Sequence, residues 1–175
     1  MKSVIAESER LILRILTLED SDFILELLNT EGWIKYIGER NVKTTRQAID
    51  YLKNGPLKSY ENNGFGLYLV TLKDTGKAIG MCGFIKRDYL DHIDIGFAFL
   101  PDYIGKGYAY EIAKETLRYG FDELQKDKVL AICLPSNASS IKLLEKMSFK
   151  LNKMILTNDT HEELSLYALN KEDFH

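Results

Sequence analysis

The hydrophobic and polar positions of the chain follow two alternating periods, which predict strands and helices in turn. Apolar runs rich in strand-forming residues occupy positions 9–15, 65–72, 78–85, 92–100, 129–134, 149–157 and 164–169. Apolar residues three and four positions apart follow Thr17, Gly107 and a cap at Ser136 or Asn137, and this spacing predicts three helices. A fourth helix is predicted to begin at Thr44. The predicted order is therefore β-α-α-β-β-β-α-β-α-β-β.

Local signals refine two of these elements. Thr44 and Gln47 stand three positions apart, as in a capping box, and Gly55 and Pro56 predict the end of the helix that begins there. Gly96 lies inside the strand at 92–100, where a glycine lowers strand stability. We therefore expect either a bulge or the close approach of a ligand at Gly96.

The composition is that of an ordinary globular protein, with 45% hydrophobic and 28% charged residues among 175. This length predicts a single domain over residues 1–175. A formal net charge of −3 argues against a nucleic-acid partner. The apolar runs are too short to span a bilayer, and the first ten residues lack the apolar core of a signal peptide. We expect a cytoplasmic protein with no membrane partner.

Cysteine and histidine are too few and too scattered to suggest a metal site. Cys82 and Cys133 each lie inside an apolar run. Both are expected to be reduced thiols that pack as small hydrophobic side chains.

A glycine-bearing turn between a strand and a helix is the strongest chemical signal. Gly105, Lys106 and Gly107 precede an amphipathic helix whose N-terminus favours an anion. Glycines there let the backbone approach phosphate oxygens closely. The spacing matches neither the dinucleotide-binding fingerprint nor the Walker A loop, and a tight turn without a ligand explains it equally well.

A second strand-to-helix junction brings Asn137 and Ser140 together, three positions apart at the start of a helix. Asn137 is also a common helix-capping residue, and capping alone accounts for its presence.

Together these segments resemble the GNAT superfamily of acyl-CoA-dependent N-acyltransferases. Residues 104–109 (IGKGYA) align with its Gln/Arg-x-x-Gly-x-Gly/Ala loop. The resemblance is closest to the ribosomal-protein alanine N-acetyltransferase group (RimJ/RimL type). That group is matched by residues 8–14 (SERLILR), by 95–97 (IGF) with 101–111 (PDYIGKGYAYE), and by 137–149 (NASSIKLLEKMSF).

The resemblance implies an α/β (α+β) fold: a mixed, mostly antiparallel sheet of about seven strands with four helices, splayed between its fourth and fifth strands. It also implies acetyl-CoA as co-substrate and no metal. The residues implied in binding acetyl-CoA are Phe97, Phe99, Leu100, Ile104, Gly105, Lys106, Gly107, Tyr108, Ala109, Asn137 and Ser140. A backbone N–H near Phe99 or Leu100 is expected to stabilise the developing oxyanion.

Catalytic roles follow from the same resemblance. Ser140 is expected to protonate the leaving thiolate, and Asn137 to contact the pantetheine arm or a bound water. Asp94 is the candidate base for the acceptor amine, although a solvated strand-edge carboxylate is an equally ordinary role for it. Trp33 and Tyr36 follow the first helix, where an exposed aromatic suits acceptor recognition and a buried one suits the core.

Three positions depart from the family pattern. Ile104 replaces the usual Gln or Arg, which removes one side-chain contact to phosphate. Ser148 replaces a glycine, which predicts strain in the turn before Phe149. Leu144 stands where many family members carry a tyrosine acid.

Two hypotheses of different class remain beside acetyl transfer to a peptide N-terminus or small amine. One is a non-catalytic acyl-CoA-binding module on the same fold. The other is an unrelated nucleotide binder that uses the glycine turn. Either a monomer or a homodimer is compatible with the sequence, and the acceptor is not specified by it.

Overall fold

An eight-stranded sheet runs through the computed structural model, which describes residues 3–157 and 161–175. Its strands are β1 (Val4–Glu7), β2 (Leu11–Arg14), β3 (Leu67–Leu72), β4 (Ala78–Ile85), β5 (Asp94–Phe99), β6 (Lys128–Cys133), β7 (Lys150–Leu156) and β8 (Glu163–Asn170). The order is β1-β2-β3-β4-β5-β6-β8-β7, and among the described strands only the β5–β6 pair is parallel. The mixed, mostly antiparallel sheet is confirmed, with β1 as the additional strand. Part of the predicted turn between β7 and β8 lies outside the described residues.

Within residues 3–157 and 161–175, six α-helices accompany the sheet where the sequence predicted four. They are α1 (Ser21–Leu28), α2 (Glu31–Tyr36), α3 (Thr45–Leu52), α4 (Lys58–Asn63), α5 (Tyr108–Asp122) and α6 (Ala138–Lys146). No helix in the described part of the chain is long and apolar enough to cross a membrane.

The predicted helix end at Gly55 and Pro56 is wrong. One wide π turn, Lys53–Leu57, includes Pro56 and carries the chain from α3 directly into α4. In a regular α-helix the proline ring clashes with the carbonyl four residues earlier, and the wider turn relieves that clash. The start of α3 is as predicted, because the Gln47 N–H donates to the Thr44 hydroxyl and the Gln47 side chain accepts from the Thr44 N–H.

The two faces of the sheet carry separate apolar cores. On one face α5 and α6 contribute residues such as Leu117 and Leu144 to a core that also contains Phe84 of β4. On the other face α1 and α3 pack onto β3 and β4, and Leu100 at the end of β5 belongs to this second core. Burial on both faces fixes the direction of every β5 side chain, because side chains alternate along a strand.

The sheet opens between β5 and β6, which are the fourth and fifth strands of the predicted order. In the described part of the chain these strands are paired only at Asp94 and Leu130, where the Leu130 N–H donates to the Ile93 carbonyl at 2.9 Å. The expected splay is therefore confirmed. The space between the diverging halves of β5 and β6 is called the wedge below.

The bulge expected at Gly96 is wrong. Gly96 pairs with Gly83 in a register that runs without a shift along the whole of β5. A Cβ on Gly96 would lie 3.3 Å from the Ile85 side chain, so crowding by a neighbouring strand explains the glycine. The wedge forms because β6 diverges, while β4 and β5 stay regularly paired.

Candidate active site

The glycine turn, from Gly105 to Gly107, has a backbone conformation that favours glycine at both of these positions. Gly105 and Gly107 have φ angles of +78° and +83°, in the left-handed region that favours glycine. Gly107 is the N-cap of α5, a helix of 15 residues. The first N–H groups of a helix have no acceptor within it, so those that begin α5 are free to meet an anion, which the helix dipole also favours.

Three residues that received no role from the sequence hold this turn in place. Both Ser8 and the Arg10 N–H donate to Glu111 Oε1, at 2.6 and 2.8 Å. The Arg10 Nε donates to Glu111 Oε2 at 2.7 Å, and its Nη atoms lie 3.3 Å from the Lys106 carbonyl oxygen. Ser8 and Arg10 belong to the motif at residues 8–14 and Glu111 to the motif at 101–111, so the residues were visible in the sequence but their contact was not.

The N–H groups on the free side of β5 face the wedge. Leu100 donates its N–H to the Ile79 carbonyl at 2.9 Å, on the β4 side. Backbone groups of successive strand residues point to opposite neighbours, so the N–H groups of Phe97 and Phe99 point toward β6. This excludes the Leu100 N–H as an oxyanion donor and corrects that expectation. Of the two residues considered, Phe99 keeps an N–H directed into the wedge.

The start of α6 borders the wedge from the β6 side. The Asn137 Oδ1 accepts from the Ser140 N–H at 3.3 Å and from the Ser139 hydroxyl at 3.1 Å, so Asn137 caps the helix. Its carboxamide nitrogen and the half-buried Ser140 hydroxyl have no hydrogen-bond partner among the described residues. Capping and ligand contact are therefore compatible for Asn137.

Asp94 lies at the closed end of the wedge and not on a solvated edge. The residue is 1% exposed, and the Arg87 Nε donates to its carboxylate at 2.9 Å. Burial raises the pKa of Asp94 to about 6, against the opposing effect of Arg87. Three residues of strand separate Asp94 from Phe97, which is about 10 Å. A chain of waters or the acceptor itself must span that distance if Asp94 is to take a proton there.

The two aromatic residues of the predicted acceptor region lie on α2 and differ in exposure. Trp33 is 5% exposed and belongs to the core that contains Leu100. Its Nε1 is buried and has no partner within the described part of the chain. Tyr36 is half-buried, with the Lys35 ammonium 5.0 Å from its ring centroid. The structure therefore makes Trp33 a core residue and leaves Tyr36 accessible.

The departures from the family pattern have distinct consequences. Ile104 is 60% exposed at the edge of the glycine turn and supplies no charge there. Ser148 has a φ of +70°, so the strain predicted for this position is confirmed. The thiols behave as expected, since both are free and burial raises the pKa of each, that of Cys82 to about 12.

A family model described as the acetyltransferase (GNAT) domain matches residues 10–150, which include the glycine turn, the wedge and the start of α6. The chain belongs to the GNAT acetyltransferase family. It is therefore an acyltransferase.

Individual relatives agree with this assignment. The uncharacterized N-acetyltransferase YoaA of Bacillus subtilis is 27% identical over 172 residues, which cover 95% of this chain and 97% of YoaA. A GNAT-family acetyltransferase structure from Bacillus anthracis has a TM-score of 0.79 at 26% identity, covering 97% and 99% of the two chains. A ribosomal-protein-S5-alanine acetyltransferase structure from Vibrio fischeri shares the fold, with a TM-score of 0.79 at 20% identity over 97% of each chain.

Proposed function

We propose that this GNAT enzyme transfers an acetyl group from acetyl-CoA to a primary amine, either a peptide N-terminus or a small amine, by direct attack in a ternary complex. The observation that carries the proposal is the wedge between β5 and β6, which opens beside the glycine turn at the start of α5. A long donor with an anionic end and an amide-rich arm fits these two features together.

The residues present suit acetyl-CoA at each part of its length. The free N–H groups from Gly105 to Ala109 suit the pyrophosphate. The pantetheine arm carries amide groups that can pair with the β5 backbone at Phe97 and Phe99, as an added strand would. The Asn137 carboxamide faces the same arm from the start of α6. The other residues that we place around the glycine turn and the wedge are Leu100, Lys106 and Tyr108.

An N–H directed into the wedge stabilises the negative charge that develops on the acetyl oxygen when the amine attacks. One such donor contributes about 3–4 kcal/mol to lowering the barrier. Phe99 was expected to supply it, and Phe97 lies nearer the closed end with the same direction. The amine nitrogen forms a bond to the acetyl carbon and the carbon–sulfur bond breaks. Ser140 donates its hydroxyl proton to the leaving thiolate and takes a proton from solvent water, so its hydroxyl is restored.

The protonation state of the acceptor limits its class. A peptide α-amine with a pKa of about 8 is about 10–30% neutral near neutral pH, whereas a lysine at about 10.4 is almost wholly protonated. An α-amine therefore needs little help from a base. Asp94, with a pKa of about 6, is mainly ionised at neutral pH and can receive the proton that the attacking amine loses.

The deciding experiment measures the melting temperature with acetyl-CoA, CoA, ATP and NAD in parallel. A ligand at about 100 times its Kd adds about 2.7 kcal/mol to the free energy of unfolding. We expect stabilisation by acetyl-CoA and CoA alone, and no response to either would overturn the proposal.

An amine panel then follows release of the CoA thiol. It includes peptides with N-terminal alanine, because a solved structure of the same fold is named for alanine acetylation of ribosomal protein S5. CoA binding with no turnover on any amine would favour the non-catalytic module.

A further inference from the structure

A network of hydrogen bonds joins the segment between β1 and β2 to the first turn of α5. Glu111 is its centre, because both of its carboxylate oxygens are occupied by donors from that segment. Oε1 receives the Ser8 hydroxyl and the Arg10 N–H, and Oε2 receives the Arg10 Nε. The Arg10 Nη2 also lies 2.7 Å from Oε2, so two nitrogens of the guanidinium contact the same carboxylate oxygen. This geometry fixes the plane of the Arg10 guanidinium.

The fixed guanidinium reaches the glycine turn itself. Its two Nη atoms lie 3.3 Å from the Lys106 carbonyl oxygen. Its carbon lies 4.3 Å from the centroid of the Tyr108 ring, which supports its other side. A Cβ on Gly107 would lie 3.4 Å from Nη2, so Arg10 fits closely against the turn.

The contact to Lys106 determines where the next N–H points. The carbonyl of one residue and the N–H of the following residue lie in one planar unit and point in opposite directions. Because the Lys106 carbonyl is directed at Arg10, the Gly107 N–H is directed away from Arg10, on the side where an anion meets the start of α5. The positive φ of Gly107, +83°, lets the chain continue into the helix from this orientation.

The network also offsets the repulsion between the Glu111 carboxylate and an anion bound at the start of α5. Glu111 lies in the first turn of α5, so its carboxylate would repel an anion bound at that end of the helix. Although burial opposes the effect, hydrogen bonds from Ser8 and Arg10 lower the pKa of Glu111 and keep it ionised. Arg10 neutralises that charge in the same contact. Ile104 stands where the family usually has Gln or Arg, so it supplies no positive charge that could offset Glu111 in place of Arg10.

We infer that Arg10, oriented by Glu111 and Ser8, is a positioning residue that aims the Gly107 N–H at the pyrophosphate of acetyl-CoA and cancels the charge of Glu111. The inference rests on the proposed function. It assigns these residues no contact with the reacting atoms.

The test compares R10Q, E111Q and the double variant R10Q/E111Q with the wild type. The matched control is R118Q, which breaks another ion pair to a glutamate on the exposed side of the same helix. The Kd for CoA is measured by calorimetry, together with KM for acetyl-CoA, kcat and the melting temperature. E111Q keeps the shape of the side chain and guards against a folding defect.

We expect R10Q to weaken CoA binding about tenfold, equivalent to about 1.4 kcal/mol. KM should rise with it while kcat at saturating acetyl-CoA stays close to the wild-type value. The double variant should bind CoA better than R10Q, because it no longer leaves an unpaired carboxylate beside the anion. R118Q should match the wild type.

Wild-type affinity for CoA in R10Q and E111Q would overturn the inference, as would a loss in kcat equal to the loss in kcat/KM. A double variant no better than R10Q would overturn the charge argument within it. Failure of the wild type to bind CoA is a different result, since it removes the proposed function itself.

Discussion

Replacing Asp94 with Asn removes a carboxylate that the fold buries almost completely. The side chain is 2% exposed, and its partner is the Arg87 guanidinium at 2.9 Å. Burial has the larger effect and raises the pKa of Asp94 from 3.8 to about 6. The carboxylate is thus easier to ionise in the unfolded chain than in the folded protein, in spite of Arg87.

The magnitude follows from the two pKa values. Each tenfold change in proton affinity corresponds to 1.36 kcal/mol, so the change from 3.8 to about 6 is worth about 3 kcal/mol. Between these values the folded state holds the proton and the unfolded state has lost it. The stability that the protonated Asp94 supplies is therefore complete below about pH 4 and is lost as the pH rises through about 6.

The assay is urea unfolding of the wild type and D94N at several pH values from about 4 to about 7.5. Asn does not titrate, so every other group cancels in the difference between the two proteins. We expect the free energy of unfolding of the wild type, minus that of D94N, to fall by about 3 kcal/mol across this range. Asp88→Asn, at an exposed position, is the matched control.

A difference that stays constant with pH would refute the reasoning. It would mean that the Arg87 contact offsets the burial of Asp94 completely. The same variant tests the role of Asp94 in catalysis, because a base with a pKa of about 6 gives kcat/KM an acid limb near that pH. If Asp94 is the base, the fall of kcat/KM below about pH 6 disappears in D94N. The remaining pH dependence of kcat/KM then comes from the acceptor amine alone.

Three further variants test the turn conformations and the proton donor. Ser148→Gly removes left-handed strain at φ +70° and should raise the free energy of unfolding by about 1 kcal/mol in thermal or urea unfolding; an unchanged stability would contradict the strain. Gly107→Ala introduces that strain at φ +83°, and should lower stability by about 1–2 kcal/mol and weaken CoA binding in calorimetry. Ser140→Ala should lower kcat about 100-fold or more with little change in the Kd for CoA, and an unchanged kcat would exclude Ser140 as the donor.

Most features that depend on a few adjacent residues were predictable from the sequence, and the helix end expected at Gly55 and Pro56 is the exception. The capping box of Thr44 and Gln47, the cap at Asn137 and the glycine turn all formed where their residue types required them. Ser148 belongs to the same group. Its N–H donates to Glu145 and the next N–H, of Phe149, donates to Leu144, a helix end that needs a left-handed residue whichever side chain stands there.

Features that depend on the register of distant segments were not predictable. The expectation that the Leu100 N–H stabilises the oxyanion was wrong, because the direction of that N–H is set by the alignment of β5 with β4. Arg10 and Glu111 are 101 positions apart, so their contact is not visible in either motif alone. Gly96 was misread for the same reason, since the crowding side chain belongs to another strand.

The topology of the sheet explains why these local features meet at one place. β5 and β6 are the only parallel neighbours among the described strands, so their carboxyl ends lie at the same edge. Each strand is followed by a helix, and α5 and α6 therefore both begin at the open end of the wedge. Two helix N-termini and the unpaired N–H groups of β5 then face one opening, which is the arrangement that an anionic, amide-bearing donor requires. Closing β5 onto β6 along its length would satisfy those N–H groups internally and remove the proposed acetyl-CoA site, so the proposed function depends directly on the incomplete pairing.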